Sequence, residues 1–107
     1  MKVVIIGFFP AAAKDIILES FPSAWTVRIV MPDEAEQELT DADVLIPEHI
    51  RIDDDLLQIA SKLKLVQTGA GYDNVDLCAC AMHGVQVCNA AGVNANAVAE
   101  HVMAFIL

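Results

Sequence analysis

Residues 63–77 read LKLVQTGAGYDNVDL, which sets Gly69, Ala70 and Gly71 directly after an apolar strand-type run and just before a helix-type one. Glycines in that position can turn successive main-chain N–H groups toward one point, and such a nest holds an anion. A dinucleotide cradle asks for more. It needs a third glycine, a helix start aiming its amides at the pyrophosphate, and an acid about 20 residues on for the ribose. Here Asn74 stands where the third glycine belongs, and Asp73 and Asp76 crowd the helix start. Their charge would compete with phosphate for the same positive helix end. The next strand-type run, VQVCN, carries no carboxylate. The pattern argues against a dinucleotide and suits a single carboxylate better.

Asn89, Asn94 and Asn96 add neutral amides able to bond a small polar ligand without adding charge. On pattern alone a second reading stays open, in which the glycines only make a tight turn and the asparagines cap the last helix. The cysteines offer little chemistry. Cys78 and Cys80 are two apart on a helix-type run, so their side chains point about 200° apart and cannot converge on one metal ion. Three cysteines at close spacing suggest reduced thiols and a cytoplasmic protein, not a disulfide framework. His49, His83 and His101, with Trp25 and Tyr72, are expected to be structural.

These residues need a scaffold, and the rest of the chain supplies one. Apolar runs at residues 3–8, 25–30, 43–47, 63–68 and 85–89 alternate with helix-type runs. Strict β/α alternation predicts a parallel sheet with right-handed crossovers. The expected fold is α/β and flavodoxin-like: three layers, with a five-stranded parallel sheet and helices on both faces. Pro10 opens the first helix, whose Ile16, Ile17 and Phe21 share one face, and Pro22 stops it. Pro32 opens a short acidic helix, an aspartate among residues 53–55 caps the next, and Gly84 closes the one after it. In such a sheet the C-terminal strand ends line the ligand crevice. Four loops meet there, at residues 7–10, 47–49, 68–74 and 89–96.

With 107 residues the chain is read as one domain, 1–107. A net charge of −9 with six scattered basic residues argues against nucleic acid and anionic membranes as partners. No apolar run approaches the roughly 20 residues of a membrane span. The N-terminal VVIIGFF is taken as a first strand, not a leader, because Pro10 ends it and no cleavage site follows. The hydrophobic fraction of 56% exceeds the roughly 45–50% usual in soluble domains. The sequence also stops on Phe105, Ile106 and Leu107, inside a helix-type run that begins near Asn96. An apolar end without a cap suggests truncation from something longer, or a helix buried by a partner.

LKLVQTGAGYDNVDL followed by HGVQVCNAAGVNANAVAEHVMAFIL resembles the substrate domain of the NAD-dependent D-isomer-specific 2-hydroxyacid dehydrogenases. The resemblance is close over residues 63–107, while residues 1–62 agree in layout only. It implies an oxidoreductase acting on the CH–OH group of small 2-hydroxy acids, with 2-oxo acids as the reduced partners. It implies that Gly69, Ala70 and Gly71 give backbone amides to the substrate carboxylate, that Asn94 contacts the substrate, and that Pro47 and Glu48 wall the pocket. It places NAD or NADP in the complete enzyme, on a nucleotide-binding domain that would follow this sequence, and implies none bound to this chain. Catalytic residues are expected in that domain and none here, so the isolated chain is expected to be inactive. Residues 95–107 would be an interdomain helix, and through it the chain could form a homo-oligomer.

The competing reading is a non-catalytic flavodoxin-like binding or interaction module. A phospho-receiver is excluded, because Gly7-Phe8-Phe9, Pro47 and Asn89-Ala90 stand where its acids and lysine would be. A flavin module wants a hydroxyl-rich first loop, and GFFPAAAKD has none.

Overall fold

A computed structural model of the chain describes residues 1–48, 50–69, 71 and 73–89. In chain order they form β1 (Lys2–Ile6), α1 (Ala11–Glu19), β2 (Thr26–Val30), a 3₁₀ turn (Pro32–Glu34) leading into α2 (Ala35–Leu39), β3 (Val44–Pro47), α3 (Asp54–Ile59), β4 (Leu65–Gln67), α4 (Leu77–Met82) and β5 (Gln86–Cys88). The strands make one parallel sheet in the order β2-β1-β3-β4-β5. This is the doubly wound arrangement expected from the alternation of patterns.

The handedness of the crossovers decides where the core lies. The step from β1 to β2 moves one way across the sheet, and every later step moves the other way. Right-handed connections therefore place α1 on one face and α2, α3 and α4 on the opposite one. The packed core follows this division. Val4, Ile6, Leu45 and Val66 meet Leu39, Leu57, Ala79 and Cys80 on the three-helix side. β1 pairs on both sides and is covered on both faces, so Val3 to Ile6 are at most 3% exposed and the run is apolar without alternation. On the other face α1 has no fully buried residue. Ile17 and Phe21 are half-buried and Ile16 is 66% exposed, so the apolar face expected there lines a cleft.

Element ends moved for identifiable reasons. The helix-type run after the glycine loop reads as residues 75–84, yet the helix begins only at Leu77, because Val75 forms a parallel bridge with Ile52 and the Asp76 side chain caps the helix. At its other end Gly84 has φ +71°. The Val85 N–H donates to the Cys80 carbonyl at 2.8 Å and the Gly84 N–H to Ala81 at 3.2 Å. That is a Schellman closure, for which glycine avoids a Cβ clash. The fourth strand starts at Leu65, two residues late, since the Leu63 N–H closes the turn after α3 on the Ala60 carbonyl. The helix expected over residues 95–107 lies outside the described residues. Among the described residues no helix is long and apolar enough to cross a membrane.

At the N-terminal edge of the sheet Lys2 gathers three acids. Its Nζ pairs with Glu38 at 2.8 Å and with Asp41, and its main-chain N–H donates to Asp43 Oδ2 at 2.8 Å. Burial alone would lower the Lys2 pKa, yet the hydrogen bonds to Asp41 and Glu38 outweigh it and the net shift is upward. The Lys2 N–H is the main cause that holds Asp43 below the usual carboxylate range. A depressed carboxylate stabilises the fold above its unfolded pKa, near 4, and that contribution is lost as pH falls through the folded value. The melting temperature should therefore drop as pH falls below about 4. Asp43→Asn should flatten that acid limb in thermal melts recorded against pH; an unchanged limb would show the contact to be without weight.

Candidate functional site

The C-terminal ends of β3 and β4 open onto a cleft of about 410 Å³ lined by Pro47, Glu48, Thr68, Gly69, Gly71, Asp73 and Asn74. Each wall has a local cause. Thr68 is buried, its N–H donates to the Cys88 carbonyl at 2.9 Å, and its hydroxyl reaches the same oxygen at 3.3 Å. This fixes the end of β4 against β5 and delivers Gly69 at the sheet edge. The other end of the loop is tied across to the segment before α3. The Ile52 N–H donates to the Asn74 carbonyl and the Asp76 N–H to the Ile52 carbonyl, both at 2.8 Å. The Asn74 side-chain amide donates to the Ile50 carbonyl. Asn74, standing where a dinucleotide loop would have glycine, thus joins two loops.

Gly69 and Gly71 are exposed, and a Cβ built on either would meet nothing within 4 Å. Neither has a positive φ, and among the described residues neither main-chain N–H has a hydrogen-bond partner. Close packing against the described residues therefore does not require glycine at either position. The N-terminal end of α4 is already occupied, since Asp76 Oδ1 accepts from the Ala79 N–H at 3.0 Å. With Asp76 there and Asp73 in the lining, the described residues do not fit a pyrophosphate.

Glu48 is placed from the far side. Its N–H donates to the Ile6 carbonyl at 2.8 Å, which continues the β1–β3 pairing past the strand ends. Its side chain lies over Gly7: a Cβ on Gly7 would sit 3.0 Å from Glu48 Oε2, 3.2 Å from Glu48 Cβ and 3.0 Å from the Phe9 ring. Gly7 is glycine because these side chains cross close above it. The cleft thus carries two carboxylates, Glu48 and Asp73, and no lysine or arginine among its described lining.

Pro47, Glu48, Gly69 and Gly71 line one cleft, while Ala70 and Asn94 lie outside the described residues, as do His49, Tyr72 and His101. The sequence reading missed Gly7, Thr68 and Asn74. A glycine directly after the first strand was the available signal for Gly7; the ties made by Thr68 and Asn74 depend on partners distant in sequence. A larger cleft of about 490 Å³ lies between α2 and α3, with Asp33, Glu36, Asp53 and Asp55 around an apolar floor. It contains neither glycine of the loop, and Asp53 is engaged in capping α3. His83 pairs with Asp54 at 2.7 Å and joins α4 to α3; this bond is the main cause of the lowered Asp54 pKa. Cys80 is buried and Cys78 exposed, so the two thiols point apart. Burial, then the nearby Asp76 charge, pushes the Cys80 thiol up. Trp25 packs on Phe21 with ring centroids 6.2 Å apart.

Residues 7–104 match the sequence profile of the D-isomer specific 2-hydroxyacid dehydrogenase catalytic domain. A Haemophilus influenzae protein assigned as a 2-hydroxyacid dehydrogenase is 35% identical over 89 residues, covering 81% of this chain and 28% of its own length. Among solved structures, NAD⁺-bound 3-phosphoglycerate dehydrogenase of Entamoeba histolytica superposes with a TM-score of 0.80 at 30% identity, over 99% of this chain and 38% of its own. NAD-dependent formate dehydrogenase of Staphylococcus aureus, in complex with NAD, gives 0.79 at 29% identity, over 94% and 34%. The chain spans between about a quarter and two fifths of the length of these three proteins.

Gly7→Ala should cost about 1–3 kcal/mol of stability, because the methyl must displace the Phe9 ring and the base of the Glu48 side chain. Denaturant unfolding measures this; a neutral effect would mean that Glu48 is not held over Gly7.

Proposed function

Because this chain belongs to the D-isomer specific 2-hydroxyacid dehydrogenase family, we propose that it forms the substrate-binding part of an NAD(P)-dependent oxidoreductase acting on the CH–OH group of small 2-hydroxy acids. The observation that supports this reading is that Gly69 and Gly71 both line the cleft, are exposed, and among the described residues have no hydrogen-bond partner for their N–H groups. A carboxylate docks on them, with Ala70 between, while Pro47 and Glu48 wall the pocket and Asn94 adds a side-chain contact. So anchored, the acid holds its C2 in a fixed place, and positioning is the catalytic contribution of this domain. The nicotinamide cofactor supplies hydride in the complete enzyme and is bound by a separate nucleotide-binding domain. The whole of 1–107 acts as one substrate-binding domain in a cytoplasmic protein, with residues 95–107 leading to its partner domain or to a second copy.

The electrostatics set how tightly this chain alone can bind. Charge-assisted hydrogen bonds contribute roughly 1.5–3 kcal/mol each, and the described lining adds two carboxylates and no cation. Two or three such bonds sum to roughly 3–9 kcal/mol, and repulsion by the two carboxylates with the lost freedom of the ligand offsets much of that, which leaves an affinity on the order of 1 mM or weaker. The charge that balances the substrate belongs to the rest of the enzyme.

Titration of the ¹⁵N-labelled chain with glycolate should move the amide signals of Gly69 and Gly71 with a Kd on the order of 1 mM or weaker. Gly69→Ala should keep or slightly raise stability, since open space receives the methyl. It should weaken glycolate binding at least about threefold by filling the docking space, a small loss on the affinity scale. No response to any 2-oxo or 2-hydroxy acid would favour the interaction-module reading. With NADH and glyoxylate the 107-residue chain should show no turnover, and measurable catalysis would contradict the division of labour proposed here.

A further inference from the structure

Glu48 occupies a position that the docking of a carboxylate does not require. A second cleft, of about 370 Å³, runs from the sheet edge down to α1 and shares Pro47, Glu48, Thr68 and Gly69 with the first. Its own floor is apolar, with Ile5, Phe9, Ile17 and Ile46. Gly69 therefore borders both spaces, and Glu48 stands where they meet, its carboxylate held over Gly7. An acid anchored at Gly69 and Gly71 can send the rest of its molecule in two directions. Toward the loop it meets Asp73, and toward α1 it passes Glu48 and reaches apolar surface. Either path passes a carboxylate, and neither described lining contains a lysine or arginine.

We propose that Glu48 is a specificity-determining residue that excludes substrates bearing a second negative charge, so that the cleft takes 2-hydroxy and 2-oxo acids whose C1 carboxylate is the sole anionic group and whose remaining side chain is apolar. This rests on the reading of Gly69 and Gly71 as the carboxylate dock and deepens it. A like charge held near Glu48 in a partly enclosed cleft is repelled, and each factor of ten in affinity corresponds to about 1.4 kcal/mol. A phosphate or a second carboxylate on the substrate is therefore disfavoured, although a bare carboxylate still finds the amides.

The test compares D-2-hydroxyisocaproate, which has one carboxylate and an apolar tail, with D-malate, which has two carboxylates, by ¹⁵N titration of the 107-residue chain. Hydroxyisocaproate should bind at least about tenfold more tightly, with shifts at Gly69 and Gly71 for both acids. Glu48→Gln should raise malate affinity about fivefold or more and hydroxyisocaproate affinity clearly less, closing most of the gap. A measurement on the unaltered chain gives an independent check. Raising salt from about 10 mM to about 1 M shortens the screening length from about 30 Å to about 3 Å, and should narrow the same gap. If both acids bind at the glycines with equal affinity, or the gap survives Glu48→Gln, the selectivity proposal is overturned and the docking site stands. If neither acid moves Gly69 or Gly71 in either protein, the docking reading falls and this inference falls with it.

Discussion

Two hydrogen bonds at Ile52 hold the cleft together. Ile52 is fully buried in the three-helix core, and its N–H and carbonyl pair with Asn74 and Asp76, each at 2.8 Å. The segment that follows Pro47 and Glu48 is thereby stitched to the loop that follows Gly69 and Gly71. Without that stitch the two walls would be independent surface loops, free to move relative to one another. With it, they are anchored through a buried side chain to the same core that orders β3 and β4. The Asn74 amide adds a third tie through the Ile50 carbonyl. Where a pyrophosphate loop would have glycine, this one has Asn74, and gains a cross-link to the segment before α3.

How much of this was legible beforehand follows from which interactions are local. The strands were readable because apolar runs alternate with helix runs, and Gly84 announced its own left-handed turn. Asp53 and Asp76 were legible as caps or helix-start acids, since a cap bonds an amide only three residues away. Val75 misled, because it looks helical in its own neighbourhood and becomes extended only through pairing with Ile52, 23 positions earlier. α1 misled differently. Its periodicity is real, but sheet order leaves that face with a single helix among the described residues, so Ile16 remains exposed. The site divides in the same way. Gly69 and Gly71 could be found from spacing, whereas the reason for Gly7 is a side chain 41 residues later passing over it.

The charge arrangement gives the cleft its character. Anion sites built on main-chain N–H groups work without a formal positive charge, because the amide dipoles are fixed in place by the fold. Such a site stays weak while carboxylates share its walls, as Glu48 and Asp73 do here. Weak binding by this domain and strong binding by a complete enzyme are compatible if the cation arrives with the cofactor-binding part. In the proposed reading the domain positions the acid and sets which acids are tolerated, and the redox chemistry belongs to the rest of the enzyme.

The central claim concerns two amide hydrogens, and an atomic structure of the chain soaked with oxamate, a 2-oxo acid analogue, tests it most directly. The account predicts a carboxylate oxygen at about 2.7–3.2 Å from the nitrogens of Gly69 and Gly71. A structure in which those nitrogens bond to the chain's own carbonyls or side chains, or in which oxamate lies elsewhere, would contradict it.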